Sequence, residues 1–516
     1  MHLRYTMYTS NANQIMPPED FFLPFGGHLN PKNRWCRITQ LMPWAELEQA
    51  YVKKLLALGR GRKAYTVRMA LGAVLIAQMG GYSDEELVEQ VQENPYMQYL
   101  LGLSGFQESP VFDPSLMVYF RRRLSGEPLM KANEIVAIAE AKRRMEEKAE
   151  KERKREEREE RRRKKDPPNG EGGSEEKQIT IDNYGEMLLD ATCIPVDIHF
   201  PTDLRLLNEA REWTERCIDV MHRPDIGIKE KPRTYRQEAR RDYLNISKSK
   251  KVKYKQLRKG IRKQLQYLRR DLDIIAIYEE QGRFPLLSNL EHDRLETCRT
   301  VYSQQKEYYD TGKSPQGRIV SLHMPFVRPI KRGKAGAETE FGPKVAVSVV
   351  EGMVFIERIS FENFNEGITL IESAERYKQR FGYYPTAVLA DQIYRNRENL
   401  DFCKTHHIRL SGKPLGRPKL DPVWRALQRQ IERLDAGARN AVEGKFGNGK
   451  RCSGLDRIKT QLEDTCQAVI VAGFLSLNVK ESLQFLFYFF CKDICKRFFG
   501  IFPPLLPLFA ENSASA

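Results

Sequence analysis

The spacing of apolar residues divides the chain into a helical first part and a mixed second part. Between residues 34 and 135, apolar residues recur at intervals of three and four, which is the period of a helix with one buried face. The sequence SDEE at 83–86 is a helix-start signal, and the glycine pair at 80–81 separates two helical runs. The pattern predicts an all-α N-terminal domain over residues 1–135.

Short apolar runs of strand character follow further along the chain. They occupy residues 187–192, 344–350, 353–359, 387–391 and 408–410. The dipeptide Glu351-Gly352 joins two of these runs as a hairpin turn. Helix-prone segments alternate with the later runs, at 367–381, 396–406 and 422–443. The second part therefore predicts an α/β domain with a mixed sheet, spanning residues 181–482.

Two polar stretches interrupt these patterns. Residues 203–310 are helix-prone and rich in Lys and Arg, so we expect a helical insertion after the first strand. Between 142 and 165 every residue except Met145 and Ala149 is Lys, Arg or Glu, and DPPNGEGGSEEK follows. Such a sequence buries little, and predicts a solvated helix and a flexible linker over 136–180. An apolar tail, 483–516, ends the chain.

Composition narrows the partner class. The 516 residues include 85 Lys and Arg against 69 Asp and Glu, a formal charge of +16, which favours a polyanionic partner. A hydrophobic fraction of 41% excludes a wholly disordered chain. The nine cysteines are dispersed, as in a reduced cytoplasmic protein. Charged residues and prolines interrupt the apolar tail, so we expect no membrane span.

A basic cluster lies near the end of the helical domain, at Arg121, Arg122 and Arg123. It has two interpretations, contact with DNA phosphates or an ordinary solvated helix face. The same alternatives apply to the basic stretch 248–264 of the insertion.

Three carboxylates are the candidates for chemistry. Asp190 stands inside an apolar strand run, and Asp391 ends a second one, where ligands collect in α/β sheets. The alternative for such an aspartate is a structural hydrogen-bonding role. Glu443 lies four residues after Arg439 and seven before Lys450, so on a helix the three share one face. Two aspartates and a glutamate brought together can hold hard divalent cations for phosphodiester cleavage.

Four segments carry a family resemblance. They are PVFDPSLMVYFRRRL (110–124), MLLDATCIPVDIHFPTDLRLLNEAR (187–211), GYYPTAVLADQIYRNRENL (382–400) and RNAVEGKFGNGKRCSGLDRIKTQL (439–462). With them the chain resembles the bacterial insertion-sequence DDE transposases of the insertion-sequence-five-like group, over most of its length except the charged linker. The family signature Tyr-x2-Arg-x3-Glu-x6-Lys is matched at Arg439, Glu443 and Lys450, and departs at Ala436, which replaces the tyrosine.

The resemblance implies a ribonuclease-H-like fold for the α/β domain. It also implies that Asp190, Asp391 and Glu443 bind metal, two Mg²⁺ or Mn²⁺ ions, with Arg439, Lys450 and Arg121 to Arg123 contacting DNA. The implied function is that of a cytoplasmic bacterial transposase. It would bind the terminal repeats of its element as a homodimer on double-stranded DNA, cleave them and join them to target DNA.

Three alternatives stay open at this point. One is a nuclease of the same fold that performs no strand transfer. The second is a DNA-binding protein descended from a transposase, and the third is a scaffold protein built on the charged helix.

Overall fold

The computed structural model describes residues 21–23, 26–57, 64–165, 183–225, 227–334, 337–416 and 422–499. Residues 166–180 of the expected flexible linker and residues 500–516 of the predicted tail lie outside the described residues.

The first part of the chain is helical, as predicted. Its helices are α1 (Arg34–Leu41), α2 (Trp44–Ala57), α3 (Val67–Gly80), α4 (Asp84–Glu93), α5 (Pro95–Leu100), α6 (Leu116–Leu124) and α7 (Glu127–Lys165). Helix α4 begins with a capping box, in which Ser83 and Glu86 each accept from the other's backbone N–H. Helix α3 is buried along most of its length and ends at Gly81 in the left-handed conformation.

Helix α7 continues without a break past residue 136, where the sequence pattern placed the start of the charged segment. Ala141 and Met145 are buried, and Arg144 forms an ion pair with Glu481 at 3.2 Å. From residue 149 onward the described side chains are exposed. The first residues of the charged segment therefore pack against the rest of the protein, and only the later ones are fully solvated.

The α/β domain is built on one five-stranded mixed sheet. Its strands are β1 (Glu186–Cys193), β4 (Lys344–Val350), β5 (Met353–Ser360), β6 (Ala387–Ala390) and β7 (Arg409–Leu410); β2 (Pro329–Lys334) and β3 (Ala337–Phe341) form a separate two-stranded sheet. The five-stranded order is β5-β4-β1-β6-β7. Strand β4 is antiparallel to β1 and β5, whereas β6 is parallel to β1 and β7. The mixed α/β class is confirmed.

The insertion is helical and has a core of its own. It comprises α8 (Asp203–Met221), α9 (Arg236–Ser247), α10 (Tyr254–Glu280) and α11 (Asn289–Thr311). Leu207, Leu268 and Val301 from three of these helices are fully buried together. Helices α8, α10 and α11 each bury one apolar stripe, whereas α9 buries only Ala239.

The remaining helices cover the sheet. They are α12 (Leu370–Phe381), α13 (Arg397–Thr405), α14 (Pro422–Cys452) and α15 (Glu463–Phe499). Phe474, Leu475 and Val479 of α15 are fully buried in the same core as residues of the N-terminal helices and of β4. Among the described residues, no helix is long and apolar enough to cross a membrane.

Candidate active site

The two predicted aspartates lie side by side at one edge of the sheet. Strands β1 and β6 are parallel, and Leu189 is in register with Ala390. Asp190 and Asp391 are the next residues on each strand. Adjacent strands are about 5 Å apart, so the register alone brings the two carboxylates together.

Asp190 is half-buried, and its environment changes its acidity. Burial raises the pKa of Asp190 to about 6, since the charged form is poorly solvated there. The Ala191 backbone N–H, which donates to Asp190 Oδ1 at 2.7 Å, lowers this pKa. The carboxylates of Asp391 and Glu366 raise it, and the Arg439 guanidinium lowers it. A cation bound beside Asp190 would stabilise its charged form and so lower its pKa.

Helix α14 lies against the same edge of the sheet and carries the remaining predicted site residues, Arg439, Glu443 and Lys450. Arg409 of β7 forms ion pairs with both carboxylate oxygens of Asp435, at 2.7 and 3.0 Å, which fix the middle of α14 against the sheet. Three glycines follow Glu443, yet the helix continues to Cys452. At Gly449 an added Cβ would meet the Leu455 side chain at 3.0 Å, so this glycine permits close packing.

The sheet edge and α14 enclose an open cleft of about 970 Å³. Its lining includes every residue predicted for the metal site and its DNA contacts on α14, namely Asp190, Asp391, Glu443, Arg439 and Lys450, and also the strand residue Thr192. Within the cleft Arg439 Nη2 forms an ion pair with Asp391 Oδ1. Glu443 is exposed and Lys450 is half-buried.

The carboxylates do not converge on a single point. In the described part of the chain, no three His, Cys, Asp or Glu side chains are grouped closely enough to hold a metal ion. The donor chemistry fits a hard divalent cation nevertheless, because three carboxylates line one cleft and such ions prefer carboxylate oxygen.

Three charged residues of the cleft were not anticipated from the sequence. Lys344, Glu340 and Glu366 also line it. Glu366 forms an ion pair with Lys344 at 2.9 Å. The only sequence signal for Lys344 is a charge at the start of an apolar strand, and Glu366 follows β5 in a polar loop that carries no signal.

The arginines of the basic cluster at 121–123 have partners inside the protein. Arg121 forms ion pairs with Asp84 at the start of α4, one of them at 2.8 Å. Arg122 reaches Asp464 at the start of α15 at 3.0 Å, and Arg123 lies close enough to Tyr51 to lower the pKa of its phenol, which burial raises overall. Two helix N-termini are thus tied to α6, and the DNA contact of this cluster stays a prediction.

Two family models match the chain. One, described as Transposase DDE domain, covers residues 388–480, and the other, described as Transposase domain (DUF772), covers residues 24–123. The first range contains Asp391, Arg439, Glu443 and Lys450. Asp190 lies outside both ranges, and the strand register shows only that it lies beside Asp391.

The comparisons with curated proteins and with solved structures give less information about this chain than the family models do. An uncharacterized protein, ORF8 in the nfe locus of Rhizobium meliloti, is 31% identical over 121 residues, which is 23% of this chain. The chain matches 58% of the length of that relative. No solved structure matches this chain. Both family models describe transposase domains, so these two regions support the similarity of the chain to bacterial insertion-sequence DDE transposases.

Proposed function

We propose that this protein is a metal-dependent transposase that cleaves the ends of its own element and joins them to target DNA. The observation that carries the proposal is the cleft in which Asp190, Asp391 and Glu443 lie with two cationic side chains, Arg439 and Lys450. Carboxylates suit divalent cations, and the cations suit the phosphates of a DNA strand.

The sheet topology supports a ribonuclease-H-like catalytic domain. Three antiparallel strands, β5, β4 and β1, are followed in space by two parallel strands, β6 and β7. The first aspartate stands on the central strand β1, and the second follows the neighbouring strand β6.

The chemistry follows from the lining residues. Asp190, Asp391 and Glu443 would hold Mg²⁺ or Mn²⁺, two ions in all, which when bound activate a water or a 3′ hydroxyl and stabilise the leaving oxygen. Lys450 would neutralise a phosphate of the strand that enters the cleft. Arg439 would serve the same role after leaving Asp391.

Other cationic surfaces would bind the DNA outside the cleft. Lys255, Lys259 and Arg262 of α10 are exposed at spacings of four and three, on one helix face. We assign to this face contacts with phosphates of double-stranded DNA, and to the N-terminal helices, with Arg121 to Arg123, recognition of the terminal repeats. A homodimer in the bacterial cytoplasm would hold the two ends together.

A cleavage and joining assay tests this function. The full chain is incubated with a supercoiled plasmid and a labelled fragment carrying the DNA that flanks its gene, in Mg²⁺, Mn²⁺ or EDTA. We expect metal-dependent cleavage that leaves a 3′ hydroxyl at the element end, and a slower product in which that end is joined to the plasmid. Cleavage without joined product would support the nuclease alternative, and binding without cleavage the DNA-binding alternative.

A further inference from the structure

We propose that the Lys344–Glu366 ion pair positions Asp391 and thereby sets the affinity of the cleft for divalent cations. The inference rests on the proposed function. It concerns residues of the cleft that belong to neither the triad nor the DNA contacts.

The Lys344 side chain binds the loop that follows β5. It is the first residue of β4 and is 8% exposed. Its ammonium group donates to the Phe364 carbonyl at 2.8 Å and forms the ion pair with Glu366 at 2.9 Å. It also lies 5.0 Å from the centre of the Phe364 ring. A buried ammonium group needs such partners, so the loop is bound to the strand wherever Lys344 is charged.

The same loop packs against the turn that carries Asp391. Glu366 begins a 3-10 helix, Glu366–Thr369, and Asp391 caps another, Gln392–Tyr394. An ideal Cβ on Gly367 would lie 2.7 Å from the Ile393 carbonyl oxygen, so the two backbones are in close contact.

Asn399 fastens the two turns together. Its side-chain amide, which is buried, donates to the Gly367 carbonyl at 2.7 Å and to the Tyr394 carbonyl at 2.8 Å. Tyr394 N–H in turn donates to the Asp391 carbonyl at 3.0 Å. Contacts thus run without interruption from the Lys344 side chain to the backbone of Asp391.

This arrangement assigns a positioning role to the pair. Asp391 sits after the end of the short strand β6 and its side chain is 51% exposed. The turn that follows it therefore depends on the Glu366–Thr369 helix for support. Residues that orient metal ligands from behind typically change metal affinity about 10- to 100-fold when removed.

Calorimetric titration of the full chain with Mn²⁺ tests the proposal. Lys344→Met and Glu366→Gln should each weaken Mn²⁺ binding by about tenfold or more. The double variant should be no weaker than the worse single variant, because both changes break one connection. Lys344→Arg, which keeps the charge, should lose less than Lys344→Met. The matched control is Lys148→Met, which removes an ion pair with Glu351 at 3.1 Å outside the cleft and should bind as the wild type does.

Cleavage kinetics supply a second measurement. The variants should need more metal for half-maximal rate but approach the wild-type rate at saturating metal, which a general loss of folded protein would not produce. Circular dichroism checks that each variant is folded.

Several results would overturn the positioning role. They are wild-type affinity in Lys344→Met, additive losses in the double variant, an equal loss in Lys344→Arg, or a loss in Glu366→Gln alone, which would make Glu366 a direct ligand. A wild-type chain that binds Mn²⁺ but does not cleave DNA would refute the proposed function while the affinity comparison still decides the role of the pair. A wild-type chain that binds no Mn²⁺ would refute both.

Discussion

Two aspartates in different regions of the molecule are both buried enough to resist ionisation, and only one of them can meet a cation. Asp190 stands at the sheet edge, and burial raises its pKa to about 6. Asp271 stands on α10 inside the helical insertion, and burial raises its pKa to about 8. Glu215 raises the pKa of Asp271 further, whereas Arg211 and a hydrogen bond from Thr214 lower it.

The difference lies in what can reach each carboxylate. Asp190 lines the 970 Å³ cleft, so a divalent cation from solution has access to it. Asp271 is fully buried, and in the described structure its Oδ1 has no hydrogen-bond partner. A raised pKa therefore reports burial in both places, and it indicates a functional site only where a cleft and further ligands accompany it.

The largest effect is expected from removing charge in the cleft. Asp190→Asn, Asp391→Asn and Glu443→Gln each keep the side-chain size but remove a ligand charge. Each should lower the cleavage rate about a thousandfold or more, which corresponds to several kcal/mol of lost metal-assisted stabilisation. Binding to element-end DNA should change little. Cleavage and gel-shift assays on the same protein samples measure both quantities.

Asp197→Asn is the matched control for this series. Asp197 lies seven residues after Asp190, forms an ion pair with Arg457 at 2.8 Å, and is outside the cleft lining. It should cleave DNA at nearly the wild-type rate. Near-wild-type cleavage by any triad variant in Mg²⁺ would remove that residue from the mechanism.

A smaller effect, on stability, is expected from Asp271→Asn. The folded pKa of about 8 lies above the unfolded value, about 3.9, so Asp271 binds its proton more tightly in the folded state. The contribution of Asp271 to the free energy of unfolding is therefore most favourable below pH 4, declines as the pH rises to 8, and stays constant above that. Asparagine cannot ionise, so the variant should gain on the order of 1 to 3 kcal/mol at pH 8 and little at pH 4.

Denaturant titrations at pH 4 and pH 8 measure this gain. If the free energy of unfolding had the same pH dependence in the variant and the wild type, the ionisation of Asp271 would not affect stability, and the prediction would be wrong. The same substitution at Asp190 should show a smaller gain over the narrower window from about pH 4 to 6, because its folded pKa is lower.

The strands and their ends could be predicted because local pattern and burial agree there. The run 344–350 became β4 with the same bounds, and the predicted turn Glu351-Gly352 joins it to β5 with both residues at positive φ, 47° and 82°. These values suit the primed turns that hairpins prefer. The apolar runs that contain Asp190 and precede Asp391 became β1 and β6, but only the family resemblance predicted that the two aspartates belong to one site.

Other elements depend on packing that local sequence does not reveal. Helix α14 was predicted to 443 but extends to Cys452, because the packing of Gly449 on Leu455 and the Lys445–Glu481 ion pair at 2.6 Å offset the cost of three glycines. Helix α15 was not predicted. Its residues 466–479 are almost all buried, so the sequence lacks the polar face that would mark a helical period.

The β2 and β3 sequences, PIKRGK and AETEF, have no apolar alternation, and the hairpin was missed. The Arg121–Asp84 and Arg122–Asp464 pairs join residues far apart in the chain, so the basic cluster could not be distinguished from a solvated face by sequence.

The smallest effect should come from the exposed cations of the insertion, and it separates DNA affinity from chemistry. Lys259 and Arg262 of α10 are exposed, whereas Lys263 on the same helix pairs with Asp242 at 3.0 Å. If the exposed face follows a DNA backbone, the variant Lys259→Gln/Arg262→Gln loses two phosphate contacts. Its affinity should fall several-fold, and the slope of log affinity against log salt should decrease by about 2. Lys263→Gln, which removes the same charge from an internal pair, should leave that slope nearly unchanged, and all of these variants should cleave bound DNA at the wild-type rate. Gel-shift titrations at three salt concentrations measure the slopes. Equal slopes for the double variant and the wild type would mean that the insertion does not contact phosphates, and that its lysines and arginines only keep the surface solvated.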